Sequence, residues 1–352
     1  MILKSNYLKG CIMGNITKYL KGILLISVVL LFAVGCSSVE KKEEKNEKSK
    51  EKDFSVGIVL GEGGANDQSF NQSSLEGLEK AKEDLGIDGI YLESNQDSDY
   101  VPNIETFIDK DVDLIIGVGY TTAESMLNAA KMYPDRKFAI IDHNYKEEGQ
   151  EIPKNMISVT FDEKEASYLV GLIAAKMSKG NKVGFIGGMK IPNITRFEEG
   201  FEAGIKSVNS DIKLVSQYAN SFDDSSLGKS IANQMYSKGV DIIFSAAGGV
   251  GTGSIESAKE NNKYAIGVDM DQNSLAPDNV ITSAMKRVDI GVFDIISKIK
   301  GGSFEGGKVV VYGLKENAVG IAPSTSKNVS KEVLNFVENQ KQEIIDGKIN
   351  IK

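Results

Sequence analysis

Two cysteines and one histidine are all that 352 residues supply of the side chains most often used for thiol and metal chemistry. Cys11 and Cys36 both lie within the first 36 residues, so the body beyond them has no thiol for a disulfide, a nucleophile or a thiolate metal site. His143 stands alone, which excludes a multi-histidine metal centre and leaves one candidate at most for acid–base work at neutral pH. No Ser or Cys lies near it in the chain, and it reads as a loop residue. No catalytic residue, metal or cofactor is expected. Positive charge is also scarce: the formal charge is −8, and residues 1–35 carry Lys4, Lys9, Lys18 and Lys21 with no acid, so the remainder stands at −12. Such a balance excludes nucleic acid as a partner, because neutralising phosphates takes clustered Lys and Arg.

What is present begins with a leader. A basic stretch precedes the apolar run "GILLISVVLLFAVG", which is too short to span a bilayer comfortably and ends in small residues, as an export signal does. Met1 and Met13 are both possible starts. The ending "FAVGC" followed by "SS" reads as a bacterial lipobox, with residues 1–35 a signal peptide and Cys36 the lipidated mature N-terminus; an ordinary export signal with a chance cysteine is the alternative. A diacyl (palmitate-type) anchor would hold the protein on the extracytoplasmic face of the cell membrane while the body stays in water. Residues 37–53 hold six Lys and six acids and almost nothing apolar, so they cannot bury enough surface to offset the entropy of ordering. They read as a solvated tether, whether coil or exposed helix.

From Phe54 onward short apolar runs alternate with helical patterns. The runs "FSVGIVL", "GIYLES", "DLIIGVG", "KFAIID", "MISVTF", "KVGFIGG", "KLVSQYA", "DIIFSAA", "YAIGVD" and "VITSAM" lack strict polar alternation, as strands covered on both faces should. Between them lie stripes such as Ala166, Leu169, Val170, Ile173, Ala174 and Met177, at helical spacing. Strand and helix in alternation give parallel sheets, here in two series joined near residues 159–166. A further helix is expected from Lys286, followed by the strand "KVVVYGL", both returning to the first series. The expected division is therefore 54–161 plus 286–314 for one lobe and 162–285 plus 315–352 for the other, with several crossings forming a hinge. Ligands of open α/β sheets sit beyond the carboxyl ends of the strands.

At those ends, "NDQSFNQ" supplies Asn66, Asp67, Phe70 and Asn71. One of the acids or amides there could simply cap the next helix. Phe70, an aromatic in a polar loop, is better placed to stack on something. Glycine turn followed by helix is also the setting of a phosphate cradle, but Asp67 would repel an anion and no cation lies between Asp53 and Lys80. Asp142 and Asp269 end strands at corresponding places in the two series and, as acceptors, suit sugar hydroxyls or a ring N–H. Phe197 and Phe201 share a helix; one faces the core, the other the cleft, and periodicity leaves the choice open. Gly248 and Gly251 belong to "SAAGGVGTGS", where glycines spaced wrongly for a dinucleotide fingerprint fit close approach of backbone to a ligand ring. Lys286, read as sitting at a helix start, needs an acidic or polar partner.

Taken together and in this order, "NDQSFNQ", "KFAIID", "FIGGMKIPNITRFEEGFEAG", "AAGGVGTGSIESAK", "IGVDMDQ" and "ITSAMKRVD", behind a lipobox and tether, resemble the basic membrane protein family of lipoproteins, the substrate-binding subunits of ABC importers that include purine nucleoside receptors. The resemblance implies the type I periplasmic-binding-protein fold, two doubly wound parallel-sheet lobes on a multi-crossing hinge. It implies a purine stacked between Phe70 and Phe197, its edge read by Asn66 or Asp67 and by Asp142, and its ribose held by Asp269 and Lys286. Partners would be a membrane permease and its ATPase. Asp142 as acceptor favours inosine or guanosine over adenosine. Rival readings are a sensory lipoprotein or a sugar or peptide binder of the same fold, and a surface nucleoside hydrolase.

Overall fold

A computed structural model describes residues 53–351. The expected leader, Cys36 and nearly all of the tether lie outside the described residues. The apolar runs become strands with covered interiors: β1 (Ser55–Val59), β3 (Leu114–Val118), β4 (Phe138–Ile141) and β5 (Met156–Phe161) are buried almost throughout. With β2 (Asp88–Leu92) on one edge and β11 (Lys308–Tyr312) on the other they form a six-stranded parallel sheet ordered β11-β5-β4-β3-β1-β2. A second six-stranded sheet contains β6 (Lys182–Gly187), β7 (Lys213–Tyr218), β8 (Ile242–Ala246), β9 (Tyr264–Asp269), β10 (Val280–Lys286) and β12 (Val319–Ile321), ordered β12-β10-β9-β8-β6-β7. It is parallel except for β12, which runs against β10 and was not expected.

Apart from the outer strands β11 and β12, the two sheets have the same order, the second strand of each series outside the first and the remainder added on the other side. Each therefore has a switch point, between β1 and β3 and between β6 and β8, where the crossover direction reverses and the strand ends open a crevice. The first sheet carries α1 (Phe70–Leu85), α2 (Tyr100–Asp109) and α3 (Ala123–Met132); the second carries α4 (Glu163–Met177), α5 (Pro192–Val208), α6 (Ser225–Ser237) and α7 (Gly249–Glu260). α8 (Val288–Lys300) packs on α1, and α9 (Lys331–Ile345) on α4. The chain thus passes between the sheets after β5, after β10 and between β11 and β12. Three strands of linker restrict the relative motion of the sheets to hinge bending. Among the described residues no helix is long and apolar enough to cross a membrane.

One boundary differs from expectation in a way that matters. Lys286 is the last residue of β10 and not the start of a helix; α8 begins at Val288. At the strand's end the residue is still only 2% exposed, which a solvated lysine at a helix start would not be. The apolar stripe of Val288, Val292, Ile295 and Ile296 starts just after it, and that stripe's proximity makes the two look like one element in sequence.

Candidate functional site

The carboxyl ends of both sheets face one cavity with about 700 Å³ of empty space, counting the part open to solvent. Of the expected site residues, Asp67, Phe70, Asn71, Asp142, Phe197, Gly248, Asp269 and Lys286 line it. Asn66 and Gly251 do not. Asn66 is exposed on the outer side of the first loop. Gly251 is buried in the first turn of α7, its N–H donating to the Gly248 carbonyl at 2.9 Å. A Cβ at Gly251 would have ordinary room, its nearest neighbour being the Ser245 Cβ at 3.5 Å, whereas one at Gly253 would lie 1.8 Å from the Ser225 carbonyl oxygen and one at Gly228 1.9 Å from that of Val250. Close approach of backbone to backbone between α6 and α7 is the reason for Gly253 and Gly228.

The first loop is built around Asp67. Its carboxylate accepts from the backbone N–H of Ser69 (3.0 Å), Gln72 (3.0 Å) and Asn71 (2.9 Å), so it caps α1 and occupies the place where a helix N-terminus would otherwise gather an anion. Asn71 donates from Nδ2 to the carbonyls of Gly61, Glu62 and Gly64 and ties the glycine turn down. These two side chains shape the wall, and the helix start they fix sets Phe70 at its first position, with its Cε1 packed so near that a Cβ on Gly119 would lie 3.2 Å away. Gly119 has φ +89, a conformation that also favours glycine there.

Asp142 follows β4 and Asp269 ends β9, the fourth strands of the two series, and both have left-handed backbones, with φ 65 and 62. Asp tolerates this region better than most residues, and the turn swings each side chain out of the strand. Both are more than nine-tenths buried. Asp142 Oδ2 accepts from Lys286 Nζ and from Asn193 Nδ2, each at 2.6 Å, whereas its buried Oδ1 has no partner among the described residues. Asp269 accepts from the Ser69 hydroxyl across the cleft. Its pKa is raised to about 6, chiefly by burial, with Lys286 and Ser69 opposing the shift and Asp67 and Asp142 adding to it.

Lys286 collects these groups. Its ammonium lies 4.9 Å from the Phe70 ring centroid, 5.3 Å from that of Phe197 and 5.8 Å from that of Phe161. A cation among ring faces is stabilised by their quadrupoles. Burial alone would lower its pKa, but Asp142, Asp269 and Glu163 raise it above the ordinary value, so it stays charged. The two phenylalanines of α5 divide as the sequence allowed: Phe201 is wholly buried against Phe244, while Phe197 lines the cavity and meets Phe244 edge to face.

Several lining or supporting residues escaped the sequence reading. Phe222 adds a third ring, seated where Gly188 leaves room; a Cβ there would lie 2.2 Å from its Cε1. Asn193 and Ser69 bond the two aspartates. Glu163, with no exposed surface, accepts from Arg196 Nε at 2.7 Å and lies 3.8 Å from Lys286 Nζ. Burial raises its pKa to about 8, Asp142 adding to the shift and Lys286 and Arg196 opposing it. His143 is buried beside Tyr120 and Tyr145, off the cavity, and burial lowers its pKa. Of the charged side chains on the cavity wall, four are carboxylates and one is a lysine. No group of residues that could hold a metal ion occurs among the described residues. Chemically, the site can hold a flat, uncharged molecule with aromatic faces and hydrogen-bond donors at both ends.

Residues 54–352 match the sequence profile described as ABC transporter substrate-binding protein PnrA-like. The "CD4+ T-cell-stimulating antigen" of Listeria innocua is 42% identical over 94% of this chain and 96% of its own. The "ABC transporter nucleoside-binding protein BmpA" of Lactococcus lactis subsp. cremoris is 39% identical over 94% and 99%. Among solved structures, an ABC transporter system solute-binding protein from Aeropyrum pernix K1 superposes with a TM-score of 0.76 at 30% identity, covering 84% of this chain and 92% of its own.

Proposed function

Since the chain belongs to the PnrA-like family of ABC transporter substrate-binding proteins, with the two-lobed periplasmic-binding-protein fold, we propose that it captures purine nucleosides in the cavity between its sheets and passes them to a membrane permease driven by a separate ATPase. It does so at the extracytoplasmic face, held by lipid on Cys36, and catalyses no reaction. Inosine and guanosine are preferred to adenosine.

The observation that carries this reading is the unpaired Oδ1 of Asp142, a residue that lines the same cavity as Phe70 and Phe197. A buried acceptor without a donor costs free energy, and a 6-oxopurine supplies the missing donor from N1–H, whereas adenosine presents an acceptor at N1. The two rings stack on the base, worth about 1–3 kcal/mol each. Asp269 and Lys286 hold the ribose hydroxyls as acceptor and donor. Asp67 occupies the amides of α1, and Glu62 stands at the mouth with its pKa raised by burial and by neighbouring Asp97 and Asp223. A phosphorylated nucleoside would meet like charge there. Equilibrium dialysis with labelled inosine tests the proposal: unlabelled guanosine should displace it, adenosine should do so less well, and inosine monophosphate and uridine should fail. Displacement by the monophosphate as readily as by inosine would contradict it.

A further inference from the structure

Arg196 lies in the first turns of α5, beside Phe197 but off the cavity wall. Its Nε donates to Glu163 Oε2 at 2.7 Å, and its Nη1 donates to Glu147 at 3.0 Å (Oε2) and 3.3 Å (Oε1). Glu163 opens α4, immediately after the first passage between the sheets. Glu147 sits in the turn that follows β4, where it accepts from Asn144 Nδ2 at 3.1 Å and its N–H donates to the Asn144 carbonyl. One guanidinium therefore joins a buried acid at the hinge to an acid on the opposite lip.

We propose that Arg196 is an affinity-determining residue that never touches the ligand: through Glu147 it clasps the two lobes together, and Glu163 holds its fork aimed for that contact. This rests on the reading of the cavity as a closing binding site. The other bridges that involve the cavity aspartates, from Lys286 and Asn193 to Asp142 and from Ser69 to Asp269, engage groups that the ligand itself would use. The Arg196–Glu147 bond lies apart from them and favours the closed arrangement at every stage of binding. Opening breaks it, while Arg196–Glu163, within the second lobe, persists. Apparent affinity scales with the fraction of molecules in the binding-competent state, and a clasp released only on opening acts chiefly on dissociation. Lys cannot serve both acids from one fork.

Stopped-flow binding of inosine to the purified protein tests the clasp in two variants. Glu147→Gln takes the charge off the crossing arm, leaving a neutral acceptor that holds Arg196 less strongly, and leaves the buried pair whole, so folding is preserved. Arg196→Lys keeps the charge at Glu163. Each should raise the dissociation rate roughly 2-fold to 5-fold with association less affected, and the double variant should be no worse than Arg196→Lys alone. An unchanged dissociation rate in Glu147→Gln, or additive losses in the double variant, would overturn the proposal. If the wild-type protein binds no purine nucleoside, the functional reading fails by itself. Small-angle scattering of the protein alone then reads the clasp: Glu147→Gln should enlarge the radius of gyration, and an identical radius would overturn it.

Discussion

Asp142→Asn separates base recognition from mere support of the cleft. In the wild type one carboxylate oxygen is fully engaged, by Lys286 and Asn193 at 2.6 Å each, and the other is buried without a donor. Asparagine has nearly the same shape, and its carbonyl would take over the lysine and Asn193 contacts. Its NH2 would then stand where the free acceptor stood. A 6-oxopurine loses a hydrogen bond to a charged group, worth about 1.5–3 kcal/mol, and faces a donor instead. Inosine and guanosine affinity should fall roughly 10-fold to 150-fold. Adenosine, whose N1 accepts, should bind unchanged or more tightly. Lys286 would also lose its shortest anionic contact, so the melting temperature should drop, with Asp269 and Glu163 limiting the loss. Calorimetric titration with both nucleosides and thermal unfolding measure the two effects separately. Equal losses for inosine and adenosine would refute the assignment, since damage to the cleft alone cannot distinguish the two bases.

The stacking rings should differ in what they hold. Phe70→Ala should weaken inosine binding by about 1–3 kcal/mol with little effect on unfolding, because that ring is only partly buried. Phe197→Ala should weaken binding and also lower stability by about 3–5 kcal/mol, as its ring is 1% exposed and packs on Phe244. Gly188→Ala should displace the Phe222 ring and lower affinity, read by titration, without unfolding the protein. Glu163 and Asp269 have folded pKa values raised to about 8 and about 6, so they bind protons more readily in the folded state than in the unfolded. Their contribution to stability is therefore fullest at low pH and is lost as pH rises through those values. The melting temperature should fall as pH rises from the unfolded values of 3.8 and 4.5 to about 8 and level off above that, and Glu163→Gln should flatten the upper part of the fall.

Much of the fold was legible because it rests on local patterns. Buried strands such as "LIIGV" and "FAII" are unbroken apolar runs, and the stripe of α4 is a repeat at three and four. β12, three residues long and paired antiparallel, has neither the length nor the neighbours in sequence to announce itself. In the cavity, the strand-end rule reached Asp142 and Asp269 because both follow long apolar runs. Asn193 behind Pro192 looks like any polar residue at a helix start, and its bond to Asp142 spans the cleft. Glu163 in sequence is an acid in a helix's first turn, a common solvated place, and only the hinge buries it. Phe222 is different: an aromatic in the polar stretch "NSFDDSS" carries the same signal that pointed to Phe70. Gly251 misled because a glycine run after a strand does not say which member meets the cavity: Gly248 lines it, Gly253 packs on α6, and Gly251 does neither.

Calorimetric titration of verified ligand-free protein with inosine, guanosine, adenosine and uridine is the most direct measurement. Inosine and guanosine should bind one per chain at micromolar Kd or tighter, about −8 kcal/mol or beyond, with adenosine weaker and uridine silent. No heat from any purine nucleoside, with the protein folded and the cavity free, would contradict the assignment of this cleft to a nucleoside.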